Sequence, residues 1–191
     1  MRAWLLLSAL LLVTPALPAA EPRADIGGSY KLVDQHGHNV TQATYAGKPV
    51  LMYFGFSSCP DVCPTDLARI ERIARRVQQG AGIAVTPIFV TVDPERDTPA
   101  KMKLYVSMFG KDFVGLTGTP AQIRDIATKY HVYYRKVPYG SNGQYTMDHS
   151  TFLFLLDSRG RYVDHFGRAM DEKVVAQRIE ADLKGKPVAT R

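Results

Sequence analysis

The chain has 191 residues, of which 24 are Lys or Arg and 18 Asp or Glu, for a formal net charge of +6. Acids and bases are mixed along its length, which describes a solvated surface and argues against a nucleic-acid binder. With only two cysteines the sequence cannot be a disulfide-stapled scaffold, and it carries no internal repeat or low-complexity segment.

At the N-terminus, Arg2 is the only charge of the first twenty residues. An apolar run from Trp4 to Val13 follows, then Pro15, Pro18 and an alanine-rich end at Ala19 and Ala20. This is the pattern of a secretory signal peptide over 1–20. The run is broken too early for an ordinary transmembrane helix, and an uncleaved anchor is the alternative. Export places the protein in an oxidising compartment, the periplasm. Residues 21–25 read as a linker, 26–186 as one domain and 187–191 as a tail.

Within the domain, Tyr30–Val33 and His38–Val40 flank a turn at Asp34–Gly37, a β-hairpin. His36 and His38 are turn histidines and weak candidates for metal. Val50–Phe56 is short, apolar and β-prone, a strand buried on both faces. A helix is expected from Pro64, with Leu67, Ile70, Ile73, Ala74 and Val77 on its apolar face and Gly80 and Gly82 at its end. Ile83–Val92 is a second β-rich run, and Pro87 inside it suggests an edge strand or a bulge. The polar loop Asp93–Asp97 follows, with Asp93 and Asp97 expected to cap and turn. Thr98-Pro99 opens a helix with Met102, Tyr105, Val106 and Phe109 apolar. Thr119-Pro120-Ala121-Gln122 opens another with a capping-box pattern, its apolar face Ile123, Ile126, Ala127 and Tyr130. Val132–Tyr134 is a short strand before a loop at 140–143. Thr151–Leu156 and Tyr162–Phe166 form a hairpin, and a last helix carries Val175, Ile179 and Leu183. The sum is an α/β sandwich: a mixed parallel and antiparallel sheet with helices on both faces.

Chemistry concentrates in Cys59-Pro60-Asp61-Val62-Cys63-Pro64. Both thiols lie where a buried strand turns into a helix N-terminus, and the unpaired N–H groups there favour thiolate. At this spacing the two sulfurs suit a disulfide or a shared soft metal ion, and both readings stand open. Asp61 between them is either a solvated turn residue or an aid to docking.

His149 precedes the second buried strand in Met147-Asp148-His149-Ser150. A cysteine pair after a strand, then a loop, a hairpin and a final helix, is the order of a thioredoxin-like fold. In that fold this loop faces the cysteine turn, so Cys59, Cys63 and His149 would converge.

With these segments in view the chain resembles the Sco/SenC family of thioredoxin-like copper chaperones. The matching stretches are Tyr53–Pro64, Thr91–Thr98, Gly115–Thr119, Tyr130–Tyr134 and Asp148–Ser150, spread over roughly residues 26–184. The resemblance implies three copper ligands, Cys59, Cys63 and His149, and delivery of copper to the dinuclear site of cytochrome c oxidase subunit II. It also implies other copper chaperones or thiol reductants as partners. Family members are commonly membrane-tethered, and the proline-broken leader departs from that. The donor set suits Cu(I), and Cu(II) where a further ligand is at hand, whereas zinc normally wants a fourth protein ligand. Met147 is expected to pack rather than bind. Asp148 is either a carboxylate orienting His149 or an exposed one. A thiol–disulfide oxidoreductase is the rival reading; a peroxidase shares the fold but has no need of His149.

Overall fold

A computed structural model describes residues 26–185 except Ser141. The leader, linker and tail readings lie outside these residues. The elements, in order, are β1 (Lys31–Asp34), β2 (Asn39–Thr41), a 3-10 turn (Gln42–Tyr45), β3 (Val50–Gly55), α1 (Val62–Ala81), β4 (Thr86–Thr91) and α2 (Pro99–Ser107). They continue with β5 (Val114–Thr117), α3 (Pro120–Lys129), β6 (Tyr134–Pro138), β7 (Tyr145–His149), β8 (Leu153–Leu156), β9 (Tyr162–Phe166) and α4 (Glu172–Leu183).

Seven strands form one sheet in the order β2-β1-β5-β4-β3-β8-β9, and β6 and β7 form a separate hairpin. β3, β4 and β5 run parallel at the centre, while β1 and β8 join antiparallel on either side. This is the mixed sheet of a thioredoxin-like sandwich, with the expected N-terminal hairpin in β1–β2. The alternation of β3 divides the core between two faces. Tyr53 points toward α1, where its hydroxyl donates to Asp66 at 2.8 Å. Phe54 points the other way, 5.7 Å from the Tyr130 ring beyond α3. Phe89, opposite Tyr53 in register, stacks on the Tyr53 ring and meets Tyr105 of α2 at a tilt, 5.4 Å between centroids. Thus α1, α2 and α4 cover one face and α3 the other. Among the described residues no helix is long and apolar enough to cross a membrane.

Three expectations need correction. Pro87 lies neither at an edge nor in a bulge, because β4 pairs on both sides with unbroken register to β3. The N–H groups of Thr86 and Val92 bond to Pro49 and Gly55 on the β3 side. The imide nitrogen of Pro87 therefore faces β5, whose pairing starts only at Ile88–Val114, so no ladder bond is lost. Helix α1 starts at Val62, ahead of Pro64, which sits in the first turn where its missing N–H is still harmless. Strands β5 and β7 have no counterpart in the sequence reading, which also began β6 two residues early at Val132 and β8 at Thr151.

Candidate metal centre

The site lies at the C-terminal edge of β3, where the chain leaves the sheet at Phe56 and returns as α1. Cys63 falls in the first turn of α1 and is fully buried; Cys59, in the loop before it, is half-exposed. Gly55 makes room for this. A Cβ there would stand 2.8 Å from Cys63 Sγ and 2.8 Å from the Phe89 ring, so only glycine lets the thiol sit on the strand.

The two thiols are electrostatically unequal. The Cys63 thiol donates to Cys59 and, with the N–H groups of Cys63, Asp61 and Val62 at the helix start, holds Cys59 down to about 5, against the upward push of its own burial. The N–H of Cys63 lies 3.4 Å from Cys59 Sγ. Cys63 goes the other way, raised by donating to Cys59 and by its own burial. The pair therefore holds one thiolate, resting on the outer sulfur.

His149 ends β7 and reaches over this pair. Its Nδ1 lies 2.9 Å from the Ser150 carbonyl oxygen, which only accepts, so Nδ1 carries the proton. Nε2 is then the free lone pair, and it stands 3.6 Å from Cys63 Sγ. Two donors on one ion, at bond lengths of about 2.3 Å for sulfur and about 2.0 Å for nitrogen and an angle of roughly 110–120°, are separated by about 3.5–3.7 Å. Cys63 and His149 thus already stand at the spacing of two ligands on one metal. Tyr53 and Phe56 meet the imidazole edge-on, at 6.3 and 5.9 Å, and fix its plane. Among the described residues no three His, Cys, Asp or Glu side chains form a closed metal cluster as they stand.

The remaining candidates separate cleanly. Asp148 is half-exposed and pairs with Arg135 at 3.3 Å; Ser150, not Asp148, takes the imidazole proton. Met147 is buried and packs, as expected. His36 and His38 lie exposed in the β1–β2 turn, where Asp34 accepts from both backbone N–H groups. Asp61 occupies the helix N-cap position, exposed and without a capping bond from its side chain.

Sequence reading missed what holds the two halves together. Asp97 is fully buried and accepts from Ser57 N (2.9 Å), Ser57 Oγ (2.5 Å) and Thr91 Oγ1 (2.7 Å), tying the cysteine loop to β4. Arg96 ties down the other half. It pairs with buried Asp93, donates to the Tyr145 carbonyl at 2.8 Å, and lies 3.9 Å over the Tyr145 ring, whose hydroxyl bonds Asp93 at 2.9 Å. The β6–β7 hairpin, and His149 with it, is clamped to the 93–97 loop. The only available signal was the loop's charge density, which capping and turning explained equally well.

The fold and the site define a thioredoxin-like domain with a Cys-x3-Cys pair facing a histidine from a separate hairpin. The chain belongs to the SCO1/SenC family, whose model matches residues 18–184. It is 42% identical over 164 residues to an SCO2-like protein of Rickettsia prowazekii, covering 82% of this chain and 80% of that one. It is also similar to mitochondrial SCO1 of Saccharomyces cerevisiae, at 39% identity over 85% of this chain and 55% of the yeast protein. Among solved structures, copper-bound ScoI of Arabidopsis thaliana superposes with a TM-score of 0.81 at 33% identity, covering 84% of this chain and 99% of that one. Copper-bound ScoI of Bradyrhizobium japonicum gives 0.73 at 44% identity, covering 83% and 99%.

Proposed function

We propose that the chain is a copper metallochaperone that binds one copper ion through Cys59 Sγ, Cys63 Sγ and His149 Nε2 and passes it to the dinuclear site of cytochrome c oxidase subunit II. The observation that carries this is the 3.6 Å approach of the His149 lone pair to a cysteine pair that already holds one thiolate. Two thiolates and an imidazole are soft donors, suited to Cu(I) and able to hold Cu(II) with one more ligand. The residues fit copper, and the copper-bound relatives support the same cargo. The family membership and the leader-like residues 1–20 favour work outside the cytoplasm, free in the periplasm or attached through the N-terminal segment. A fusion reporter joined after Asp25 and active only outside the cytoplasm checks this.

One observation favours a second role, as a thiol–disulfide oxidoreductase acting on the target's cysteines. The pair is split into a half-exposed thiolate fit to attack and a buried thiol fit to resolve. His149→Ala separates the two roles. Losing a ligand should weaken copper binding by at least the roughly 10–100-fold typical of losing a ligand's support, while thiol exchange stays within about an order of magnitude. Unchanged copper affinity with collapsed exchange would make the oxidoreductase reading the right one.

A further inference from the structure

Three carboxylates are buried among the described residues, each beside an element that carries a metal ligand and each paired with a partly exposed cation. The pairs are Asp97 with Lys101, Asp93 with Arg96 and Asp66 with Arg168. Asp97 and Asp93 hold separate segments in place, the cysteine loop and the β6–β7 hairpin. Asp66 has no such task. Its Oδ2 accepts from the Tyr53 hydroxyl at 2.8 Å and its Oδ1 from Arg168 Nε at 3.0 Å. Arg168 lies in the turn from β9 to α4, and α1 already grips that turn without it. Arg69 Nη2 donates to the Met170 carbonyl at 2.6 Å, and Arg72 pairs with Glu172 at 2.6 Å. A buried ion pair is weak evidence for stability, since apolar residues of the same volume often do as well or better. The placement of this one points to the metal centre. Asp66 follows Cys63 by three residues on the buried face of α1, which puts their Cβ atoms about 5–6 Å apart. Its charge is felt there: the Cys63 thiol is pushed up by donating to Cys59 and by burial, and further by the charges of Cys59 and Asp66. Tyr53, which donates to Asp66, also meets the His149 imidazole edge-on. A negative charge thus stands behind two of the three donors, and its positive partner stands at the surface, 45% exposed.

We propose that the Asp66–Arg168 pair sets the oxidation state the site holds: Asp66 biases the sulfurs toward their less negative states, and Arg168 offsets that bias. With two thiolates and a neutral imidazole, the site carries −1 around Cu(I) and no net charge around Cu(II). A neighbouring carboxylate therefore favours Cu(II), and a neighbouring guanidinium favours Cu(I). The sign is the same without metal. A disulfide is neutral, whereas the reduced pair carries one thiolate, so Asp66 favours the disulfide and Arg168 the dithiol. A unit charge about 6–8 Å away, at an effective dielectric of about 20, moves such an equilibrium by one to two powers of ten. Solvent at the half-exposed Cys59 trims this to about tenfold for Asp66, and to about threefold for the more distant and more exposed Arg168. The inference rests on the chaperone reading for the identity of the cargo, but one arm of its test needs no copper.

In the first arm the metal-free chain is equilibrated with glutathione at pH 8. Opening the Cys59–Cys63 bond takes two electrons from two glutathione thiols and yields glutathione disulfide. One proton stays on Cys63, Cys59 is left as thiolate, and the second proton goes to solvent. In the second arm, anaerobic competition titrations of the reduced chain give the ratio of Cu(II) to Cu(I) affinity. Arg168→Met should lower the equilibrium constant for reduction about threefold and raise the Cu(II)-to-Cu(I) ratio about threefold. Arg168→Glu, a change of two charges, should move both about tenfold, and Arg168→Lys should move neither. Asp66→Asn should move both about tenfold the other way. The Arg168 series decides the matter by itself should Asp66→Asn fail to fold, because its side chain is largely at the surface. A pair that only braced the fold would lower the melting temperature in every variant while the two equilibria stayed flat or all moved in one direction, and that result would overturn the proposal. Shifts graded with charge in a chain that holds no copper would sink the chaperone reading and leave the effect on the sulfurs standing. Normal copper binding with a flat Arg168 series would do the reverse.

Discussion

Asp97→Ala probes the frame that holds the cysteine loop. Asp97 is fully buried, and its carboxylate accepts from Ser57 N, Ser57 Oγ and Thr91 Oγ1, with Lys101 Nζ at 3.4 Å. The two hydroxyls can rotate toward other acceptors, but the Ser57 N–H is fixed by the backbone, and Lys101 loses its counter-charge. One stranded buried donor costs about 1–3 kcal/mol, and breaking a buried charge pair about 3–5 kcal/mol. Lys101 is partly solvated, so the sum falls near 3–4 kcal/mol, a loss of roughly 6–16 °C in melting temperature for a domain of this size. Asp97→Asn keeps one acceptor oxygen and should lose about half as much. Urea denaturation gives the free energies, and hydrogen exchange at Ser57–Cys59 reports whether the loop is released before the core opens. A loss below about 1 kcal/mol for Asp97→Ala would refute the view that this carboxylate organises the loop.

Gly55→Ala should cost about 1–3 kcal/mol by overpacking and should also displace Cys63, so copper affinity falls in a protein that still shows a native circular dichroism spectrum. Arg96→Met removes the clamp on the β6–β7 hairpin. Hydrogen exchange should accelerate over residues 134–149 while the central strands keep their protection, and copper affinity should fall although no ligand is touched. Alkylation of Cys59 by iodoacetamide should rise with pH through about 5 and be flat by neutrality, since the thiolate forms early. A rise centred near the ordinary thiol value of about 8.5 would show that the helix start and Cys63 do not stabilise it.

The apolar patterns told most about the centre of the fold. Leu51–Phe54 and Leu153–Leu156 are buried on both sheet faces and read as strands without ambiguity. β5 escaped because Gly115 interrupts its short run. The structure explains the glycine by α2, whose Val106 and Met102 would lie 3.1–3.3 Å from a Cβ there. β7 escaped because its hairpin stands off the main sheet, so Tyr145–His149 shows no clear alternation. The cysteines announced themselves by spacing, whereas His149 became a candidate only once a topology placed its loop. The residues that make the site rigid were not legible at all. Asp97 meets Ser57 across 40 positions and Arg96 meets Tyr145 across 49, and no local pattern encodes such pairs.

The central claim is that Cys59, Cys63 and His149 close together on one copper ion. X-ray absorption at the copper edge, on the reduced chain loaded with one equivalent of Cu(I), tests it most directly. The predicted spectrum fits two sulfur scatterers and one imidazole nitrogen, and the imidazole signature disappears in His149→Ala. A fit to two sulfurs that is the same in the wild type and His149→Ala would contradict the account.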